Sequence, residues 1–129
     1  MPNKQEYKLQ ESGEMYLETI LRISEEKPVV RSIDISEYMG FSKPSVSRAM
    51  SLLKADGYID FVDGKSIVLT DTGKAVAEKI YERHRVLSAG LEMLGVSPET
   101  ATEDACKMEH IVSDESFEAI KKHTEKHMK

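Results

Sequence analysis

The chain has 129 residues, and 18 Lys and Arg against 23 Asp and Glu give a formal charge of −5. With 40% apolar and 32% charged residues, it can build one compact domain, or two small ones sharing a core, and general disorder, collagen-like repeats and low complexity are excluded. No stretch approaches the roughly 20 apolar residues that cross a bilayer, the opening MPNKQEYKLQ lacks the apolar region of a secretory signal, and the single Cys106 has no internal disulfide partner, so a cytoplasmic, reducing location is expected.

A first helix is predicted from Glu11 to Ser24, with Met15, Ile20, Leu21 and Ile23 among good helix formers, ending before Pro28. Ser32 is expected to cap a short second helix whose Ile35, Tyr38 and Met39 fall on one stripe before Gly40. Ser42 is expected to cap a third, with Pro44 in its first turn and Val46, Ala49, Met50 and Leu53 on one face before Gly57. Two short amphipathic helices joined by a Gly-containing turn have the pattern of a helix-turn-helix.

After Gly57 the period changes. Tyr58, Ile59, Phe61 and Val62 favour a strand, Asp63-Gly64 is a hairpin-turn dipeptide, and Ile67, Val68 and Leu69 form the return strand. This hairpin is the expected wing. Thr70 opens a long helix with Val76, Ile80, His84, Leu87, Leu91 and Leu94 on one stripe, stopping at Gly95. Ser97-Pro98 starts another, through about Val112, and Ser113 caps a last one holding Phe117 and Ile120. The fold class expected is mainly α: a winged helix-turn-helix followed by a helical domain.

Charge is unevenly placed in this acidic chain. Residues 41 to 54 hold Lys43, Arg48 and Lys54 without a carboxylate, a local positive face suited to DNA. With the apolar stripe of the third helix turned inward, Lys43, Ser45, Ser47, Arg48 and Ser51 occupy the other faces. Short serines allow close approach to the major groove, and Arg48 can fork onto guanine O6 and N7. The start of that helix, where Ser42 and Ser45 flank the N–H-lacking Pro44, can present backbone N–H groups to a phosphate, and Ser32 can do the same for the second helix. Lys65 can reach phosphate from the wing, opposed by Asp63. The alternative is a small helical bundle whose serines are only solvated.

A second cluster points to metal. On a helix Cys106, Glu109 and His110 stand at i, i+3 and i+4, so thiolate, carboxylate and imidazole share a face. The first helix offers Met15 and Glu18, and the long helix offers His84. Together they form a mixed sulfur, oxygen and nitrogen shell able to hold a first-row transition ion. Taken singly, each has a plainer role as core filler or satisfied histidine. His123 and His127, in a lysine-rich terminus, are expected to be solvated.

The combination resembles the diphtheria toxin repressor family of iron- and manganese-dependent transcriptional repressors. The resemblance is carried by Glu14-Met15-Tyr16-Leu17, Ser42-Lys43-Pro44-Ser45-Val46-Ser47, Leu69-Thr70-Asp71-Thr72-Gly73, Arg83-His84-Arg85 and Ala105-Cys106-Lys107-Met108-Glu109-His110. It implies a winged helix-turn-helix DNA-binding domain at 1–72 and a helical metal-binding and dimerisation domain at 73–129. It also implies a homodimer that binds divalent metal, recognises a double-stranded, palindromic operator and represses metal-uptake genes.

Met15, Cys106, Glu109 and His110 match the primary activating site of the iron branch, His84 matches a histidine of both branches, and Glu18 matches a manganese-branch ligand. Ser88 and Thr102 replace a glutamate and a histidine of the iron branch's ancillary site, so that site is expected to be altered or absent. Met15 and Cys106 stand where the manganese branch has carboxylates. The chain stops at Lys129, short of the SH3-like third domain found in many iron-branch members. Sulfur donors favour Fe²⁺ over Mn²⁺ as the expected cofactor, with other divalent transition metals able to substitute in vitro. No membrane or small-molecule substrate is expected, and without an HExxH motif, a phosphate loop or a defensible Ser-His-Asp order, neither is an enzyme. The competing reading is a winged-helix regulator that responds to a non-metal or redox signal through Cys106.

Overall fold

The computed structural model describes residues 4–127, with side chains from Glu11 onward. Among them six helices and one hairpin follow in the order α1 (Lys4–Glu26), α2 (Ser32–Met39), α3 (Lys43–Ala55), β1 (Ile59–Val62), β2 (Ser66–Leu69), α4 (Asp71–Met93), α5 (Pro98–Met108) and α6 (Asp114–His127). The mainly helical architecture and its two-stranded wing are as expected. The chain divides into two compact units, residues 1–78 and 79–129.

In the first unit α1 starts at Lys4, earlier than the expected Glu11. Lys4 to Gln10 are good helix formers with no breaker among them, so nothing stops the helix from propagating toward the N-terminus. The cap of α2 is Arg31 rather than Ser32, which is the first helical residue. Asp34 decides this: its carboxylate accepts the Arg31 N–H at 2.9 Å and the Lys27 ammonium at 2.9 Å. The Lys27 hydrogen bond is the main reason the Asp34 carboxyl lies below the usual carboxylate range. Gly40, in the left-handed region at φ 73°, closes α2 with its N–H on Ser36 O.

Ser42 caps α3 as expected, its hydroxyl accepting the Ser45 N–H at 3.3 Å, with Pro44 in the first turn where no N–H is needed. The buried stripe of α3 is Val46, Met50 and Leu53. It packs in one core with Leu17, Ile20, Ile35, Ile59 and Ile67. Tyr38 departs from the expected stripe of α2: it is 52% exposed, and its hydroxyl accepts from Arg22 at 3.4 Å.

The antiparallel hairpin pairs Ile59 with Leu69 and Val62 with Ser66. Asp63 and Gly64 both have positive φ, 54° and 74°, and the Lys65 N–H reaches Val62 O at 3.3 Å, the twist-matched turn that Asp-Gly favours. The Ile67 N–H donates to Val30 O at 2.8 Å, which ties the wing to the segment before α2.

In the second unit Ile80, Leu87, Ala101, Ala105 and Phe117 are buried. Leu94 is not part of the α4 stripe. It lies past the helix end and is 83% exposed. Gly95, at φ 100°, and Val96 return their N–H groups to Glu92 O and Leu91 O at 3.0 Å each, a Schellman closure. Helix α5 stops at Met108, not near Val112. The Ile111 and Val112 N–H groups both fold back on Met108 O, at 3.1 and 3.0 Å, and make a turn of the next residues. Ser113 then caps α6, accepting the Ser116 N–H at 3.1 Å.

Candidate metal centre and nucleic-acid interface

The second unit brings His84, Cys106 and Glu109 together, with one donor atom of each within 4.8 Å of the others. His84 projects from the buried side of α4. Its Nδ1 lies 3.0 Å from Glu109 Oε2 and 3.7 Å from Cys106 Sγ. His110 joins from the other side, its Nε2 3.3 Å from Glu109 Oε1. The expected helical spacing is only partly the reason. Cys106 is on α5, Glu109 is the residue that caps it, with near-helical φ −60° and ψ −24°, and His110 is already in the turn.

The converging donors fit a borderline first-row cation: one thiol, one carboxylate and one imidazole, with the His110 imidazole beside the carboxylate's other oxygen. Glu109 is 1% exposed and Cys106 sits at the open edge. The His84–Glu109 contact is a hydrogen bond in which the carboxylate accepts from the imidazole N–H. Met15 and Glu18 belong to α1 in the first unit. Met15 is 38% exposed, whereas Glu18 is buried with Arg22 Nε 3.5 Å from its Oε2.

A further contributor is Arg83, whose role the sequence pattern alone does not reveal. Arg83, 5% exposed, donates to Glu109 O at 3.1 Å and Val112 O at 2.6 Å, and pairs with Asp114. Its guanidinium carbon lies 5.2 Å from the centre of the Phe117 ring. Lys79, at 3.2 Å, shares Asp114. Lys79 first, and Arg83 with it, hold the Asp114 carboxyl below the usual range. A signal existed: Arg83 is an arginine in line with Ile80 and Leu87 on the buried face of α4. His123 and His127 are exposed as expected, on α6, which is helical through His127.

On the first unit Lys43, Pro44, Ser45, Ser47, Arg48 and Ser51 are all exposed along α3, opposite its buried stripe. The Ser42 hydroxyl donates to Ser45 Oγ at 2.9 Å, so these two serines are preorganised by each other at the helix start. Lys65 is exposed beside the wing turn with Asp63, and Ser32 is half-buried. Lys54 lies 5.4 Å above the Phe61 ring, which holds it beside β1.

Residues 8–67 match the family model described as the iron dependent repressor N-terminal DNA binding domain, and residues 70–128 match its metal binding and dimerisation domain. The chain belongs to the iron-dependent repressor family. Members of this family are metal-dependent transcriptional repressors. It is 36% identical over 112 residues to the transcriptional regulator MntR of Escherichia coli O6:H1, covering 87% of this chain and 72% of that one. It is 31% identical over 108 residues to the diphtheria toxin repressor of Corynebacterium diphtheriae, covering 83% and 48%. An HTH-type regulator of Methanocaldococcus jannaschii, 33% identical over 120 residues, is matched over 96% of its length. Among solved structures, the metal-dependent transcriptional regulator MtsR has a TM-score of 0.81 at 29% identity, and the manganese regulator SloR 0.78 at 28%, each matched over 88% of this chain. The chain spans about half the length of those two, 53% of each. Among the described residues no helix is long and apolar enough to cross a membrane.

Proposed function

We propose that this iron-dependent repressor family member is a cytoplasmic, homodimeric repressor that binds a palindromic operator when loaded with a divalent transition metal and switches off metal-uptake genes. Fe²⁺ is the favoured signal, with Mn²⁺ second. The observation that carries the reading is the convergence of His84, Cys106 and Glu109 within 4.8 Å in a chain whose other unit is a winged helix-turn-helix. His110 completes the second-unit ligands, and Met15 and Glu18 are the first-unit candidates. The DNA-binding domain is read as 1–72 and the metal-binding and dimerisation domain as 73–129. Exposed Met93, Leu94 and Ile111, at 45%, 83% and 62%, give the second unit apolar surface for pairing.

A bound cation would supply the positive centre that neutralises the Cys106 thiolate and the Glu18 and Glu109 carboxylates. Metal loading is read as a population shift, in which the ion's differential affinity for two states favours the DNA-binding one. The loaded state favours the placement in which the dimer's two α3 helices stand about one DNA turn apart, roughly 34 Å. A preference of roughly 100-fold between states supplies about 2.7 kcal/mol at saturation.

Sulfur ligation by Cys106 argues for iron over manganese, because thiolates suit softer ions and manganese is the weakest binder of the series. The 36% identity to MntR favours the second reading, manganese. Fluorescence anisotropy on operator DNA at fixed salt, run anaerobically with chelator, then Fe²⁺, then Mn²⁺, is expected to show binding only with metal and a changed ranking in Cys106→Ala. Metal-indifferent binding would leave a winged-helix regulator with Cys106 as a redox thiol.

On the DNA side, Arg48→Ala is expected to relax specificity at one base position at a cost of roughly 1 to 3 kcal/mol. Lys65→Ala is expected to weaken operator and random DNA alike. Equal losses for Arg48→Ala on both DNAs would remove its base-reading role.

A further inference from the structure

We infer that Arg83 is a positioning residue for the metal centre, clamping the turn that carries Glu109 and His110. The inference rests on the metal-site reading above. It starts from a problem of backbone bookkeeping: α5 ends at Met108, so the carbonyls that follow have no helical N–H to accept from. The Arg83 Nη1 takes two of them, Glu109 O at 3.1 Å and Val112 O at 2.6 Å, and Nη2 pairs with Asp114 in the first turn of α6. Its side chain is 7% exposed and that of Asp114 76%, so the clamp closes inward on the turn and is anchored outward on α6.

The neighbour relation sharpens the role. His84, the next residue on α4, has Nδ1 3.0 Å from Glu109 Oε2. Two consecutive side chains therefore hold one residue at both ends, Arg83 by its carbonyl and His84 by its carboxylate. A planar fork with fixed donors can span two carbonyls and a carboxylate together, whereas a lysine ammonium is a point charge that satisfies fewer of them. Groups that orient ligands from outside the coordination shell typically carry a 10- to 100-fold share of metal affinity.

The test is anaerobic Co²⁺ titration of the full chain, reading affinity and the sulfur-to-cobalt and ligand-field absorption, with circular dichroism in chelator as the control for folding. Arg83→Met is expected to keep its helical signal, lose about 10- to 100-fold in Co²⁺ affinity and alter the ligand-field spectrum. Arg83→Lys is expected to recover part of both. Asp114→Asn, at an exposed position, is expected to lose less than about 10-fold. Wild-type affinity and spectrum in folded Arg83→Met would overturn the inference. Should that variant fail to fold, wild-type behaviour in both Arg83→Lys and Asp114→Asn would overturn it equally. A wild-type chain that binds no Co²⁺, or shows the same spectrum after Cys106→Ser, would remove the metal centre itself and the clamp's role with it, a failure distinct from that of Arg83 alone.

Discussion

Gly73→Ala is expected to destabilise the winged unit by about 3 kcal/mol, lowering its urea midpoint, although alanine is the better helix former. Gly73 lies in the first turn of α4 under a knot of hydrogen bonds. The Thr70 N–H donates to Tyr58 O at 3.1 Å, the Thr70 hydroxyl donates to Gly57 O at 2.7 Å, and the Gly73 N–H donates back to that hydroxyl at 3.1 Å. A Cβ on Gly73 would fall 1.9 Å from Tyr58 O and 2.9 Å from Tyr58 C. Those atoms are backbone, so no rotamer change relieves the clash. Tyr58 cannot step back, because its N–H is held by Leu53 O at 3.0 Å and the adjoining Ile59 is 2% exposed. Gly13→Ala is the control. Its Cβ would meet only Leu53 Cδ2, at 3.5 Å, so the intrinsic preference of a helix for alanine is expressed, and stability should rise by roughly 0.5 to 1 kcal/mol. Equal midpoints for Gly73→Ala and wild type would mean that the α4 start and the Tyr58 carbonyl do not approach as described.

What could be read from the sequence was the part that local rules govern. Ser42 with Pro44, Gly40, the Asp63-Gly64 turn and the alternating strands mark their own positions, because caps and tight turns depend on residues a few places apart. The same holds for Val46, Met50 and Leu53, whose spacing alone turns them inward. Where a distant group intervenes, periodicity misleads. Ser32 has the chemistry of a cap, but Asp34 and Lys27 move the helix start to Arg31. The α5 pattern continues past Met108, yet the Arg83 guanidinium captures the carbonyls that follow. Leu94 continues the α4 stripe in register, while the Gly95 closure ends the helix before it. Cys106, Glu109 and His110 were found by a helical spacing that holds for only part of the segment. Their convergence depends as much on His84, twenty-two residues before Cys106, and on the turn that lets His110 approach Glu109 from the opposite side. Arg83 carries no local signal of its role, because an arginine in a helix ordinarily faces water and only the fold brings it to the carbonyls it serves.

Glu109→Gln is expected to abolish metal activation while leaving the metal-free fold intact. The substitution keeps the shape of a side chain that is 1% exposed, and the amide oxygen can still accept from the His84 imidazole, 3.0 Å away, while His110 lies 3.3 Å from the other side-chain atom. What it removes is the negative charge and one acceptor oxygen, the two properties a cation needs. The melting temperature in chelator should therefore stay near that of wild type, and the difference should appear only on adding metal. At a free concentration 100 times its Kd, a cation stabilises the folded state by about 2.7 kcal/mol. If the substitution raises Kd about 100-fold, the same concentration supplies only about 0.4 kcal/mol, and the metal-induced shift in melting temperature nearly vanishes. Operator anisotropy should follow it, with Glu109→Gln at the chelator baseline in Fe²⁺ and in Mn²⁺. The measurement separates two roles for this buried carboxylate. As a ligand, Glu109 loses the metal shift and keeps the apo melt; as a purely structural acceptor between two histidines, it does the reverse, with a lowered melt in chelator and an undiminished shift on adding metal.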